Sequence, residues 1–178
     1  MSRLFVAIDL PQGLKTAIAN LNFGVQGAKW VPMDQLHLTL RFIGDTDDRT
    51  YQDIVESLAT VHLPSFSLDI AGAGYFPPRG RPRILWVGIR PNENLTELQR
   101  QVEDALIKTG VEPDRRKFHP HITIARLKER SRVDNIIPFL SCNNMFAYDG
   151  VLVDEFHLYS SILKPQGAIH RREATFRL

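Results

Sequence analysis

The chain has 178 residues, 43% of them hydrophobic and 24% charged, the balance of a soluble globular protein and not of a disordered one. Lys and Arg number 22 against 20 Asp and Glu, and a net charge of +2 excludes a protein that coats nucleic acid or membranes through bulk charge. A single cysteine, Cys142, excludes an intrachain disulfide and a cysteine-rich zinc site.

The first predicted element is a strand over 4–9, in which Asp9 interrupts a short apolar run and no signal-peptide core follows. Pro11 then opens a helix carrying Leu14, Ala17, Ile18 and Leu21 at helical spacing. A short extended piece over 29–32 leads to a strong strand over 36–43, closed by Gly44-Asp45. Thr46-Asp47-Asp48 supplies a cap and early acids for a helix with the stripe Ile54, Val55, Leu58 and Val61. A strand from Phe66 towards Tyr75 meets a breaker-rich loop at 76–82, and a buried-looking strand spans 84–89. Asn92 caps a helix through Ile107 that Gly110 ends, and a strand over 122–127 follows His119-Pro120. A helix around 133–140 contains Pro138, and strands over 146–148, 151–159 and 168–176 finish the chain. The order β-α-β-α-β-β-α-β-α-β-β-β is an α+β arrangement, with antiparallel pairing at its hairpins. No apolar run approaches the ~20 residues that span a bilayer.

Two segments share one pattern: His37-Leu38-Thr39-Leu40 and His121-Ile122-Thr123-Ile124, 84 positions apart. On a strand, alternate side chains face opposite ways, so each segment aims His and Thr at one face and two aliphatics at the other. The His and Thr positions then lie ~6.6–6.8 Å apart, within reach of one phosphate. With an ordinary pKa of ~6.5, one imidazole can take a proton from attacking water while a second, protonated, gives one to a departing oxygen. Threonine hydroxyls can donate to phosphate oxygens and hold the anion in line. A lone His-x-Thr on a strand carries little information, and only the duplication in matching contexts makes a shared site. Two similar lobes placed face to face would bring the motifs together across a groove.

The residues around these motifs resemble the bacterial and archaeal RNA 2′,3′-cyclic phosphodiesterases, the 2′-5′ RNA ligase-like branch of the 2H phosphoesterase superfamily. The resemblance is carried by Trp30-Val31-Pro32 through Ile43-Gly44 and by Phe118-His119-Pro120 through Ala125-Arg126. It is also carried by Arg3 to Ile8, Arg81 to Trp86 and Leu158 to Ser161, so it covers essentially the whole chain. It implies one bilobal domain over 1–178, a pseudo-twofold pair of mainly antiparallel sheets with flanking helices and a central groove. It implies metal-independent hydrolysis of RNA 2′,3′-cyclic phosphate ends to 2′-phosphomonoesters, with 2′-5′ ligation as the reverse reaction. His37 matches the proton donor, His121 the proton acceptor, Thr39 and Thr123 the phosphate-binding threonines, and Arg126 an arginine on the phosphate. No cofactor, metal or membrane is implied, and the chain is expected as a cytoplasmic monomer whose partner is RNA.

Strand parity bears on two arginines in opposite ways. Arg126 is out of step with His121 and Thr123, so reaching the groove requires a bulge near Ala125 or a curled side chain. Arg41 is in step with His37 and Thr39, which makes it a second candidate for the phosphate. His119 could pair with His121 on a metal, with Asp114 or His157 as a third ligand, but a loop residue before proline is the plainer reading. His62 and His170 stand in no motif and are expected on the surface, and Cys142 is expected to be a small packing residue. Arg79, Arg81 and Arg83, near Tyr75, Phe76 and Trp86, fit either an RNA contact or a solvated loop. Arg115-Arg116-Lys117, just ahead of the second motif, is placed to steer RNA, and Arg171-Arg172 forms a third basic cluster. A phosphodiesterase for small cyclic nucleotides and a non-catalytic RNA-binding module are the alternatives.

Overall fold

The structure, a computed structural model, describes residues 2–21, 24–128, 131–164 and 167–178. The chain runs β1 (Ser2–Asp9), α1 (Gln12–Ala19), β2 (Ala28–Trp30), β3 (His37–Thr46), α2 (Asp48–Leu58), β4 (Phe66–Phe76) and β5 (Ile84–Ile89). It continues through α3 (Glu93–Lys108), β6 (His121–Leu127), α4 (Ile137–Asn143), β7 (Ala147–Val153), β8 (Glu155–Lys164) and β9 (Gly167–Arg177). This is the expected α+β order with the extended piece before the first motif realised as β2.

Helix ends follow the chemistry of their first residues. Asp47 accepts from the Thr50 N–H at 2.8 Å and Asn92 from the Leu95 N–H at 3.0 Å, each satisfying a donor that the helix leaves free. The Asn92 side chain also donates to Ser67 O at 2.9 Å, fixing the start of α3 to β4. Pro138 sits in the first turn of α4, where a missing N–H costs nothing, so the expected helix begins there and the residues before it form a 3₁₀ turn.

All pairing is antiparallel, in the order β7-β4-β5-β6-β3-β1-β8-β9, with β2 beside β6. The path divides into two matching halves, β3-β1-β8-β9 and β6-β5-β4-β7. Among the described residues their strands pair only where Leu38 of β3 meets Ile122 of β6. Leu38, Leu40, Ile122 and Ile124 are all buried on the face covered by the helices, among the α3 stripe Leu95, Leu98, Val102 and Leu106. Burying such a side chain is worth about 1.5–3 kcal/mol, so a one-residue slip that turned these aliphatics outward is strongly disfavoured.

The C-terminal strands differ from the sequence expectation. The break expected between 148 and 151 is a bulge inside β7: Gly150 takes φ 74° and its N–H donates to the Asp69 carboxylate at 3.0 Å. The true corner is Asp154, between β7 in one half and β8 in the other. No helix among the described residues is long and apolar enough to cross a membrane. Replacing Asn92 by Ala removes both its cap and its tie to β4. The expected loss is about 1–2 kcal/mol in urea denaturation, with secondary structure retained.

Candidate active site

Extending the Leu38–Ile122 register by one residue each way sets His37 opposite Thr123 and Thr39 opposite His121, all on the face away from the helices. Their burial runs in step: both strands read half-buried, buried, half-buried, buried from the histidine onward. The structure thus brings the four motif residues into one site, on two strands that separate on either side of a single pair.

The histidines are held identically. His37 Nδ1 lies 2.7 Å from Gln35 O and His121 Nδ1 lies 2.7 Å from His119 O. A carbonyl oxygen only accepts, so Nδ1 carries the proton in each neutral ring and Nε2 is the nitrogen left for chemistry. Neither threonine hydroxyl has a hydrogen-bond partner among the described residues. That leaves both free to donate to an anion.

Each ring sits in aromatic surroundings. Phe5 lies 5.0 Å from His37 between ring centroids, 5.2 Å from Tyr159 and 5.0 Å from His170, and His170 is 5.4 Å from His37. His121 packs edge-on against Phe76 at 5.0 Å, with Trp86 at 6.5 Å. Trp86 lies over Gly74, where an added Cβ would fall 2.3 Å from the indole, so only glycine admits the ring. Burial pushes His37 down to about 4, helped by the neighbouring His170 ring and opposed by the Gln35 carbonyl. Burial also lowers His121, again against its carbonyl partner.

One irregularity decides which arginine reaches this face. Thr39 pairs with Ala7 and Arg41 with Val6, leaving Leu40 as an extra residue in β3; Ile124 is extra in β6 between Thr123 and Ala125. Each bulge shifts the alternation by one residue, so the positions in step with His and Thr become Phe42 and Arg126. Arg126 is exposed and close enough to His170 that its charge lowers that imidazole, which burial already depresses. The bulge that Arg126 needs is therefore present.

The parity expectation for Arg41 is corrected by the same bulge. Its guanidinium is buried, ion-paired to Glu103 of α3, and donates to Phe42 O and Glu112 O. Glu103 in turn accepts from the Asp114 N–H at 2.8 Å. Arg41 thus ties β3 to α3 and to the segment before the second motif.

Other expectations divide. His62 is exposed, but His170 is half-buried against His37, with its Nδ1 lacking a partner among the described residues. No sequence signal marked it, because its place depends on β9 returning beside β8. His119 contributes its carbonyl to His121, and its ring lies 6.4 Å from Phe76. Asp114 is paired with Arg116 at 2.7 Å, and His157 bonds Thr175 in the other half of the sheet. Among the described residues no cluster of three metal-ligating side chains occurs. Arg172 is bound to Asp9 at 2.7 Å, Arg171 is exposed, and Cys142 is exposed on α4 and not packed as expected. A cleft of about 1100 Å³ opens beside His121 and Thr39, bordered by the loop over 77–83 and the segment over 114–119.

Paired imidazoles and two hydroxyls stand together on a duplicated strand, with the Nε2 atoms and the hydroxyls unengaged among the described residues and arginine charge nearby. A sequence profile of the 2′-5′ RNA ligase superfamily matches residues 10–163, and the chain belongs to that family. A protein of Archaeoglobus fulgidus named RNA 2′,3′-cyclic phosphodiesterase is 32% identical over 173 residues, covering 95% of this chain and 96% of that one. One of the same name from Escherichia coli K12 is 32% identical over 163 residues, covering 89% and 86%. A crystal structure of E. coli LigT complexed with 3′-AMP superposes with a TM-score of 0.79 at 28% identity, covering 99% of this chain and 98% of that one.

Two outcomes are expected. Arg41→Ala leaves the Glu103 carboxylate shielded and unpaired, and should cost roughly 3 kcal/mol in urea denaturation, with much of it recovered in Arg41→Met/Glu103→Leu. His37 should titrate near about 4 by NMR of its ring protons. Because the folded state resists that protonation, its contribution to stability is complete above 6.5 and is lost as pH falls towards about 4. His37→Gln should flatten this part of the stability–pH curve.

Proposed function

We propose that the chain is an RNA 2′,3′-cyclic phosphodiesterase, opening cyclic phosphate ends to 2′-phosphomonoesters without a cofactor. The observation that carries this reading is the crossed register, His37 opposite Thr123 and His121 opposite Thr39, with Nε2 of each imidazole unengaged among the described residues.

The phosphate sits between the two strands, its free oxygens bound by the Thr39 and Thr123 hydroxyls and by Arg126. His121 Nε2 takes a proton from water as the water oxygen attacks phosphorus. The bond from phosphorus to the 3′ oxygen breaks, and protonated His37 gives its Nε2 proton to that oxygen. The 2′ ester bond remains, which sets the product. Burial makes the His37 imidazolium a stronger acid than free imidazolium, which suits a group that must give up its proton. The phosphate anion supplies the opposing charge that lets His37 be protonated in the complex. The same groups run backwards would join a cyclic phosphate to a 5′ hydroxyl in a 2′-5′ linkage.

The test is hydrolysis of an oligonucleotide with a 2′,3′-cyclic phosphate end in EDTA. Wild-type protein should give the 2′-phosphate, and His37→Ala and His121→Ala should each lose about 10²–10⁴-fold in kcat. Near-normal turnover by either variant would falsify the acid and base assignments. Saturation with the 2′-phosphate product should raise the His37 titration midpoint above its free value.

A further inference from the structure

The two motif histidines share one kind of anchor and differ in their neighbours. Around His37, rings from three strands touch one another in a triangle. Phe5 of β1 lies 5.0 Å from His37 and 5.0 Å from His170 of β9, and the two imidazoles meet edge to face at 5.4 Å. Around His121 the rings are Phe76 at 5.0 Å and Trp86 at 6.5 Å, and neither can take a proton. His119 is in ring contact with Phe76 and, among the described residues, not with His121. Of the two motif histidines, only His37 stands directly against a second imidazole among the described residues.

Two imidazolium charges at that separation repel. As unit charges 5.4 Å apart, the first to form delays the second by about half a unit of pH in a water-like medium. At an effective dielectric constant of about 20 the delay is about two units. The other charged groups do not cancel it. Asp9 of β1 and Lys15 of α1 act on His37 in opposite senses and are paired with each other at 2.7 Å. Burial and Arg126 of β6 lower His170, against Asp34 in the turn before β3. Tyr159 of β8, stacked on His37 at 6.4 Å, is kept neutral chiefly by burial. His37 is the more enclosed imidazole, held down at about 4, while His170 is half-buried.

We propose that His170 is a positioning residue for His37: its ring closes one flank of the His37 ring, and the two imidazoles take their protons one at a time, His170 first while the site is empty. The proposal rests on the reading of His37 as the proton donor in phosphodiester cleavage. It adds that the donor is charged only once an anion lies against it. A phosphate at His37 reverses the order, gives the first proton to the donor and leaves His170 neutral. His170 itself touches neither the phosphorus nor the departing oxygen. The covered ring is the stronger acid, because the flank that His170 closes would otherwise let water stabilise the imidazolium.

The experiment follows the ring protons of both histidines by NMR against pH in the whole chain. It compares wild type with His170→Phe, which keeps a ring without a charge, and with His170→Ala, which removes both. In wild type each ring should report two inflections, its own and its partner's. In His170→Phe the second inflection at His37 should vanish and its midpoint rise by about half a unit to two units. In His170→Ala the midpoint should rise further, as water reaches the uncovered flank. In hydrolysis of a cyclic phosphate end, His170→Ala should lower kcat about three- to tenfold with KM changed less than about twofold, and His170→Phe should restore kcat. A His37 midpoint that stays put in His170→Phe overturns the proposal, whatever the Ala variant does. So does a KM raised about tenfold by His170→Phe, which would make His170 a group that binds the phosphate. Saturation with a nucleoside 2′-phosphate should make His37 the first of the two to be protonated. If the paired inflections are present but that order does not reverse, the donor assignment fails and the coupled imidazoles stand.

Discussion

Leu38 of β3 and Ile122 of β6 meet at the one strand pair that, among the described residues, joins the two halves of the sheet, and the site depends on that contact. Behind it, the helix-covered core fixes which way the aliphatics point, and so which way His37, Thr39, His121 and Thr123 point. In front of it, the strands separate at once. A longer ladder between β3 and β6 would close the groove, and no ladder would leave the two imidazoles unrelated in space. One pair gives both register and room.

The symmetry of the halves is one of backbone and not of chemistry. Both histidines are anchored through Nδ1 to the carbonyl two residues back, and both strands bulge after the threonine. Past the bulge the halves diverge. β3 presents Phe42, while β6 presents Arg126, whose charge lies near His170. His37 also lies in the more enclosed setting, which lowers it to about 4, so two groups of like geometry differ in acidity. What surrounds two equally anchored histidines thus sets them apart.

Much of this was legible in the sequence because it rests on local rules. Strand alternation fixed the face shared by His and Thr, Asp47 and Asn92 marked helix starts, and the repeated motif predicted a groove between two lobes. Legibility failed where one extra residue mattered. Nothing in Leu40-Arg41 announces a bulge, yet that bulge sends Arg41 to Glu103 and brings Phe42 to the groove. The need for a bulge near Ala125 came from the family resemblance, which put Arg126 on the phosphate where strand parity alone turned it away. His170 could not be found, since its approach to His37 depends on pairing between strands more than 100 residues from the motif. The corner at Asp154 was hidden by Gly150, whose turn-like sequence serves a bulge.

The halves are also interlaced along the chain. β4 follows the His37 strand but belongs to the His121 half, while β8 and β9, the last strands, return to flank β1. Phe5 and His37 therefore acquire Tyr159 and His170 only when the final segment has been laid down. During synthesis, the strand bearing the first motif must wait through most of the polypeptide for the neighbours that shape its histidine. The order of translation thus keeps the imidazole setting incomplete until β9 has emerged, and no cut between the two motifs would leave either half with all of its strands.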